Sequence, residues 1–230
     1  GNLSVNEVWG NKTSLLVGDF LFSRAFQLMA KYGNTAVLKL LSDTSVIISE
    51  GEMLELSNDK DPTINEDVYY DVINGKTASL FSAACQVGGI SAQGSDRELE
   101  YLKSFGANFG MSFQLIDDAI DYSSSNIVLG KNIGDDFKEG KVTLPIILAY
   151  LRSNKAEKYF WKKTIVHLKQ EKDDFHHAIN IIKKYDCIED TIDRARHFAN
   201  VAIDSLGSFK DNNYKIGLIN LIQSSLNRLN

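Results

Sequence analysis

An all-α fold is predicted for this chain, and three observations predict it. There are only two prolines in 230 residues, so almost the whole length is free to run as helix. Apolar residues recur at three- and four-residue spacing through most of the sequence, the period of a helix face. Two Ser/Thr-x-x-Glu runs stand directly before such segments, as helix starts do. The length suffices for one large domain with a full core, and residues 1–230 are expected to form a single one.

The elements follow in order. Gly1 to Lys12 is expected to be a loop anchored by Trp9. Thr13 to Tyr32 is a helix apolar nearly all round, which predicts burial, and Asp19 and Arg24 within it should then find partners. Thr35 to Ser57 forms a second helix, with Glu52 and Glu55 one turn apart. Pro62 and a Thr63–Glu66 capping box open a third, which carries Gly75-Lys76-Thr77 in its middle. The glycine either kinks that helix or turns Lys76 and Thr77 toward a polar cavity; a surface lysine with a buried stem is the alternative. Ser95 and Glu98 cap a long helix running to Tyr122. Thr143 to Leu151 starts another, with Pro145 in its first turn, where proline is tolerated. Lys155–Lys169, Asp173–Tyr185, Glu189–Leu206 and Asn213–Leu229 are amphipathic helices, and this C-terminal third is expected to be structural. His167, His176, His177 and His197 are expected at the surface or with satisfied partners.

The chemistry concentrates between Gly110 and Pro145. With Phe113 set to zero on a helical wheel, Asp117 falls near 40°, Asp121 near 80°, Gln114 near 100° and Asp118 near 140°, each angle an approximate one. All four share one side of the helix. The adjoining arc carries Phe105, Phe109, Phe113, Ile116 and Ile120. Carboxylates three and four residues apart repel each other unless a cation compensates, and the apolar run before them is too greasy for a surface helix. Oxygen ligands of this kind suit a hard cation, Mg²⁺ before Ca²⁺. A solvated acidic face is the alternative. Gly106 and Gly110, one and two turns earlier, leave room for a ligand or for a close neighbouring helix. Beyond the acids, Lys131 and Lys141 sit on a glycine-bearing loop and can fold back onto phosphate oxygens.

Composition narrows the classes. A net charge of −5 gives no footprint for nucleic acid. Cys85 and Cys187 stand alone in apolar or helical settings, as reduced thiols of a cytoplasmic protein do. No apolar run reaches the roughly 18 residues of a membrane span, and the chain does not open on a signal peptide.

Phe113-Gln114-Leu115-Ile116-Asp117-Asp118-Ala119-Ile120-Asp121, with Gly130-Lys131 and Gly140-Lys141 after it, resembles the second aspartate-rich region of trans-prenyltransferases. The bacterial polyprenyl diphosphate synthases of octaprenyl type are most similar. Gly75-Lys76-Thr77-Ala78 resembles that family's lysine-threonine motif, and Ser49-Glu50-Gly51-Glu52 its acidic helix motif. The resemblance implies an isoprenoid-synthase-type helical bundle around a deep central cavity. It implies condensation of an allylic diphosphate with isopentenyl diphosphate, assisted by Mg²⁺, to a quinone side-chain precursor. By the same resemblance Asp117, Asp118 and Asp121 would be metal ligands, directly or through water. Lys76, Lys131 and Lys141 would hold the allylic diphosphate, while Thr77, Phe113 and Gln114 would line the reacting centre. Lys76, Thr77, Gln114 and Asp117 are the catalytic candidates, and Phe20, Phe22 and Phe26 candidates for a product tunnel. A homodimer and peripheral contact with a membrane, which a greasy product would suit, are further implications.

The family's first aspartate-rich motif is not found in these 230 residues, so helices N-terminal to them are expected to be lacking and the fragment alone to be of low activity. A non-catalytic or regulatory prenyltransferase subunit is the alternative function. The intact second motif argues against it.

Overall fold

The computed structural model describes residues 3–123 and 134–229; Lys131 lies outside the described residues. Every regular element among them is helical. They divide into two compact units, one ending at Asp43 and the other beginning at Thr44.

The first unit corrects the expectation for the N-terminus. A short helix α1, Val5–Trp9, stands in place of the loop, and Gly10, at φ 80°, separates it from α2, Asn11–Tyr32. Trp9 is 65% exposed and anchors nothing. No residue of α2 is buried: Leu15, Phe20 and Phe22 are all exposed, and Arg24 bonds to Gln27 on the surface rather than to an interior acid. Burial needs a covering surface as well as an apolar side chain. Within this unit α1 is the element packed on α2, and it is five residues long. A third helix, α3 (Thr35–Ser57), begins here and matches its predicted bounds.

The second unit holds the core. From α3 the chain enters α4 (Glu66–Ile73), a π-helical turn (Asn74–Ala78) and α5 (Ser79–Ser91). The start of α4 differs from expectation. Asp61 takes both the backbone N–H and the hydroxyl of Thr63, so Thr63 cannot cap; Asn65 caps instead, accepting from the Val68 N–H. Glu66 is thereby free to pair with Arg194. Next comes α6 (Asp96–Asp121), opened by the expected Ser95–Glu98 capping box. Further along lie α7 (Asp135–Glu139), α8 (Leu144–Arg152) and α9 (Lys155–Trp161), the last continued by a π-helical turn, Lys162–Val166. The chain then forms α10 (Asp174–Lys184), α11 (Cys187–Ser205) and α12 (Asn213–Leu226), closing with a 3₁₀ turn, Asn227–Leu229. All four histidines are exposed.

Helix α6 is the axis of this unit. It packs against α5, α11, α8, α12 and the first π-helical turn. Its apolar stripe feeds two clusters, one around Leu115, Ile116 and Ile120, the other around Phe105 with Ala199, Ala202 and Ile222. The glycines at 106 and 110 serve the packing of a neighbouring helix. A Cβ on Gly106 would stand 2.7 Å from Ser82 Cα, and one on Gly110 2.6 Å from Ala78 Cα. The Gly110→Ala variant is therefore expected to lose about 1–3 kcal/mol of stability through overpacking, despite alanine's better helix propensity. An unshifted urea midpoint would show that this contact has slack.

Candidate active site

Two glycines bring the lysine-threonine segment against α3. A Cβ on Gly51 would lie 2.6 Å from the Lys76 nitrogen of the main chain, and one on Gly75 would lie 3.0 Å from Gly51 Cα. That close approach coincides with the π-helical turn, a local widening that re-aims side chains and often marks functional sites. Lys76 Nζ consequently meets Glu55 at 2.6 Å and Glu52 at 3.6 Å, so the two acids one turn apart on α3 hold it.

From α6, Gln114 and Asp118 face the same place. The Thr77 hydroxyl donates to Gln114 Oε1 at 2.9 Å, and Gln114 Nε2 donates to Asp118 Oδ1 at 2.8 Å. The Tyr69 hydroxyl, from α4, donates to Asp118 Oδ2 at 2.6 Å. Asp118 is 4% exposed, and burial pushes its carboxyl up to about 7 against the donors that favour its charged form. Tyr69 is driven well above the ordinary tyrosine range, by burial first and Asp118 second.

Asp117 and Asp121 are half-buried on the same helix. Asp117 Oδ1 accepts from Arg228 Nη2 at 3.0 Å, and the same guanidinium lies 5.1 Å from the ring centre of Phe113. Asp121 Oδ2 accepts the Asp136 N–H at 3.1 Å, which ties the start of α7 to the end of α6. Burial raises both Asp121 and Asp136, the latter to about 6, and the Asp121 charge adds to the second shift. Lys141 pairs with Glu139 at 2.7 Å and stands 3.7 Å from Asp136; its hydrogen bond to Glu139 raises it further.

A cavity of about 500 Å³ joins these elements. Lys76, Lys141, Gln114, Asp118 and Tyr69 line it, above an apolar wall that includes Val72, Ile73 and Ile64. Asp117, Asp121, Thr77 and Phe113 are not among its lining residues, nor are Phe20, Phe22 and Phe26. Two of the contributors escape a reading of the sequence. Tyr69 looks like an ordinary apolar-face aromatic, and Arg228 belongs to a tail expected to be structural. Asp136 is legible as a loop acid but not as the carboxylate that crowds Asp121.

Five carboxylates line the cavity against two lysines, so a diphosphate could not settle there without added positive charge. Among the described residues no three His, Cys, Asp or Glu side chains converge as a complete metal cage. The arrangement fits a divalent hard cation held by one or two carboxylates and completed by phosphate oxygens.

The buried carboxyls make stability depend on pH. Asp118 at about 7 and Asp136 at about 6 lie above the roughly 3.9 of an unfolded aspartate. Between those limits the folded chain binds more protons than the unfolded one. The stabilisation is complete below about pH 4 and is lost as pH rises through about 6 to 7. The melting temperature of the metal-free chain should fall between about pH 5 and about pH 8, and Mg²⁺ with pyrophosphate should flatten the slope. A melting temperature that climbs across that window would contradict the assignment.

Among the described residues the fold is all-α, and it surrounds a cavity where five acidic side chains face two lysines. The polyprenyl synthetase family model matches residues 1–182. The octaprenyl diphosphate synthase of Haemophilus influenzae is 35% identical over 228 residues, covering 99% of this chain and 69% of that protein. That of Escherichia coli is 37% identical over 228 residues, 99% of this chain and 70% of its own length. A polyprenyl synthase structure from Caulobacter crescentus, in complex with calcium and isoprenyl diphosphate, superposes with a TM-score of 0.95 at 39% identity, over 100% of this chain and 70% of that one. The chain belongs to the polyprenyl synthetase family, and is a trans-prenyltransferase of the long-chain polyprenyl diphosphate synthase type. The family is generally divalent-metal-dependent. No helix among the described residues is long and apolar enough to cross a membrane.

Proposed function

We propose that this chain condenses an allylic diphosphate with successive isopentenyl diphosphate units, with Mg²⁺ as its cation and an octaprenyl-type product. The observation that carries the reading is the cavity itself. It sets an ammonium group and an oriented amide on one apolar-walled hollow, beside carboxylates short of positive charge. The calcium and isoprenyl diphosphate held by the Caulobacter relative support the same ligand chemistry.

Each residue then has its own part. Lys76 and Lys141 bind diphosphate oxygens and neutralise charge on the leaving group as the allylic C–O bond breaks. Asp117 and Asp121 would hold Mg²⁺, which supplies further charge neutralisation to the departing diphosphate. Gln114 and Thr77 turn dipoles toward the allylic carbon while it is positive. Val72 and Ile73 keep water from it, so the isopentenyl double bond is the nucleophile that reaches it. The proton lost from the new adduct goes to released pyrophosphate. A homodimer in the cytoplasm, touching membrane through its product, belongs to the same reading; the exposed apolar side chains of α2 give a second copy a surface to cover. A non-catalytic subunit is not favoured, since a scaffold gains nothing from crowded, raised carboxylates.

The test is incorporation of radiolabelled isopentenyl diphosphate by the full native chain, with geranyl or farnesyl diphosphate and Mg²⁺. Labelled polyprenyl diphosphate that disappears with a chelator is expected. No incorporation with any allylic primer would reject the reading.

A further inference from the structure

Asp118 differs from its two neighbours in the aspartate cluster. Asp117 and Asp121 are half-buried, whereas Asp118 is 4% exposed and each of its oxygens already accepts a side-chain hydrogen bond. Those bonds form one continuous chain across three helical segments: Tyr69 to Asp118, Gln114 to Asp118, Thr77 to Gln114. The chain has a direction. When ionised, Asp118 accepts at both oxygens, so Gln114 turns its NH₂ toward it and its carbonyl faces the other way. Against the ionised carboxylate, the reversed amide would set carbonyl oxygen against carboxylate oxygen at 2.8 Å, two acceptors with no proton between them. With the amide fixed, Thr77 donates its only proton to Gln114 Oε1. Gln114, which lines the cavity, keeps one carbonyl lone pair for whatever enters it.

We propose that Tyr69 and Asp118 are positioning residues that lock the Gln114 amide, so that its carbonyl oxygen rather than its NH₂ is the end turned toward the positive allylic carbon. This deepens the proposed function and rests on it. The aspartates are thereby divided in role, since Asp118 orients while Asp117 and Asp121 remain the metal candidates. The lock matters because an unpinned glutamine could swing its NH₂ toward the cation, where the same side chain would repel what it otherwise stabilises. Tyr69 contributes from outside the aspartate cluster. It holds the second carboxylate oxygen, so the group that orients Gln114 cannot itself rotate.

The decisive experiment is a double-mutant cycle on the full native chain, pairing Asp118→Asn with Gln114→Leu, and Tyr69→Phe as a milder single variant. Asparagine keeps the shape of Asp118 but offers an NH₂, which lets the Gln114 amide reverse. Asp118→Asn should lower kcat about 10- to 100-fold, with KM for the allylic diphosphate changed less than about threefold. In the Gln114→Leu background it should cost almost nothing more, because the group it acts through is gone. Mn²⁺ binding in the presence of inorganic pyrophosphate, followed by electron paramagnetic resonance, should match the wild type. The Gln114 side-chain amide proton, protected from solvent exchange in the wild type, should exchange freely in Asp118→Asn. Losses that add in the cycle would overturn the proposal, as would Mn²⁺ affinity that falls as it does for an Asp117 variant, which would make Asp118 a metal ligand. A wild type that incorporates no isopentenyl diphosphate would instead reject the proposed reaction, which distinguishes the two failures.

Discussion

Replacing Asp117 by asparagine should lower kcat/KM by about 10²- to 10³-fold, the scale of losing one preorganised charge-stabilising contact in an active site. The variant is chosen for what it leaves intact. The asparagine amide still offers an oxygen to Arg228, whose guanidinium donates to Asp117 at 3.0 Å and lies over Phe113. That pair is 30% exposed on the arginine side and 29% on the aspartate side, so the lost ionic component is worth no more than about 1 kcal/mol. Melting temperature should therefore hardly move while activity collapses. The Mg²⁺ concentration for half-maximal rate should rise by about 10- to 100-fold, the usual cost of weakening a metal's anchorage. Saturation at the wild-type rate, at the wild-type Mg²⁺ concentration, would remove Asp117 from the metal site.

How far the sequence reaches is clear from particular residues. Ser95 and Glu98 lie three apart and their reciprocal bonds are local, so the start of α6 is visible in the letters alone. Thr63 offers the same pattern but loses its hydroxyl to Asp61, two residues earlier; competition between neighbouring polar side chains is decided by backbone geometry, which a pattern does not carry. Period alone predicts a buried α2, yet period describes only the helix and not what covers it. Gly106 and Gly110 leave two readings open, and the approach of Phe81, Ser82 and Ala78 decides for a packed helix.

The site divides along the same line. Gln114, Asp117, Asp118 and Asp121 share a helix face, so one wheel gathers them. Lys76 and Thr77 stand out because a glycine in a helical run is costly and asks for a reason. Tyr69 is 49 residues from Asp118, and Arg228 is 111 from Asp117. No periodicity spans such distances, and only the packing of α4 and of the C-terminal turn on α6 produces those contacts.

Lys76→Met carries the second large effect. Methionine keeps the unbranched stem beside the π-helical turn and removes the charge, and kcat/KM for the allylic diphosphate should fall by about 10²-fold or more. KM for isopentenyl diphosphate should change little, because the loss is of charge on the leaving group. The ion pairs that hold Lys76 do not weaken this expectation. Lys76 is 34% exposed, and Glu55 and Glu52 are 39% and 52% exposed, so each pair is worth about 1 kcal/mol or less. A diphosphate brings several negative charges to the hollow and displaces water from it on binding, so each contact becomes stronger than at a screened surface. The ammonium therefore transfers from carboxylate to phosphate at small cost, and the glutamates serve to hold it ready rather than to compete for it. Lys76→Arg tests that point: its wider, flat guanidinium suits two acceptors in a plane, and with Gly51 and Gly75 in backbone contact the turn has no slack to accommodate it. Retention of full activity by Lys76→Arg would mean that charge alone matters and that the tight packing of α3 on the turn has no part in aiming it.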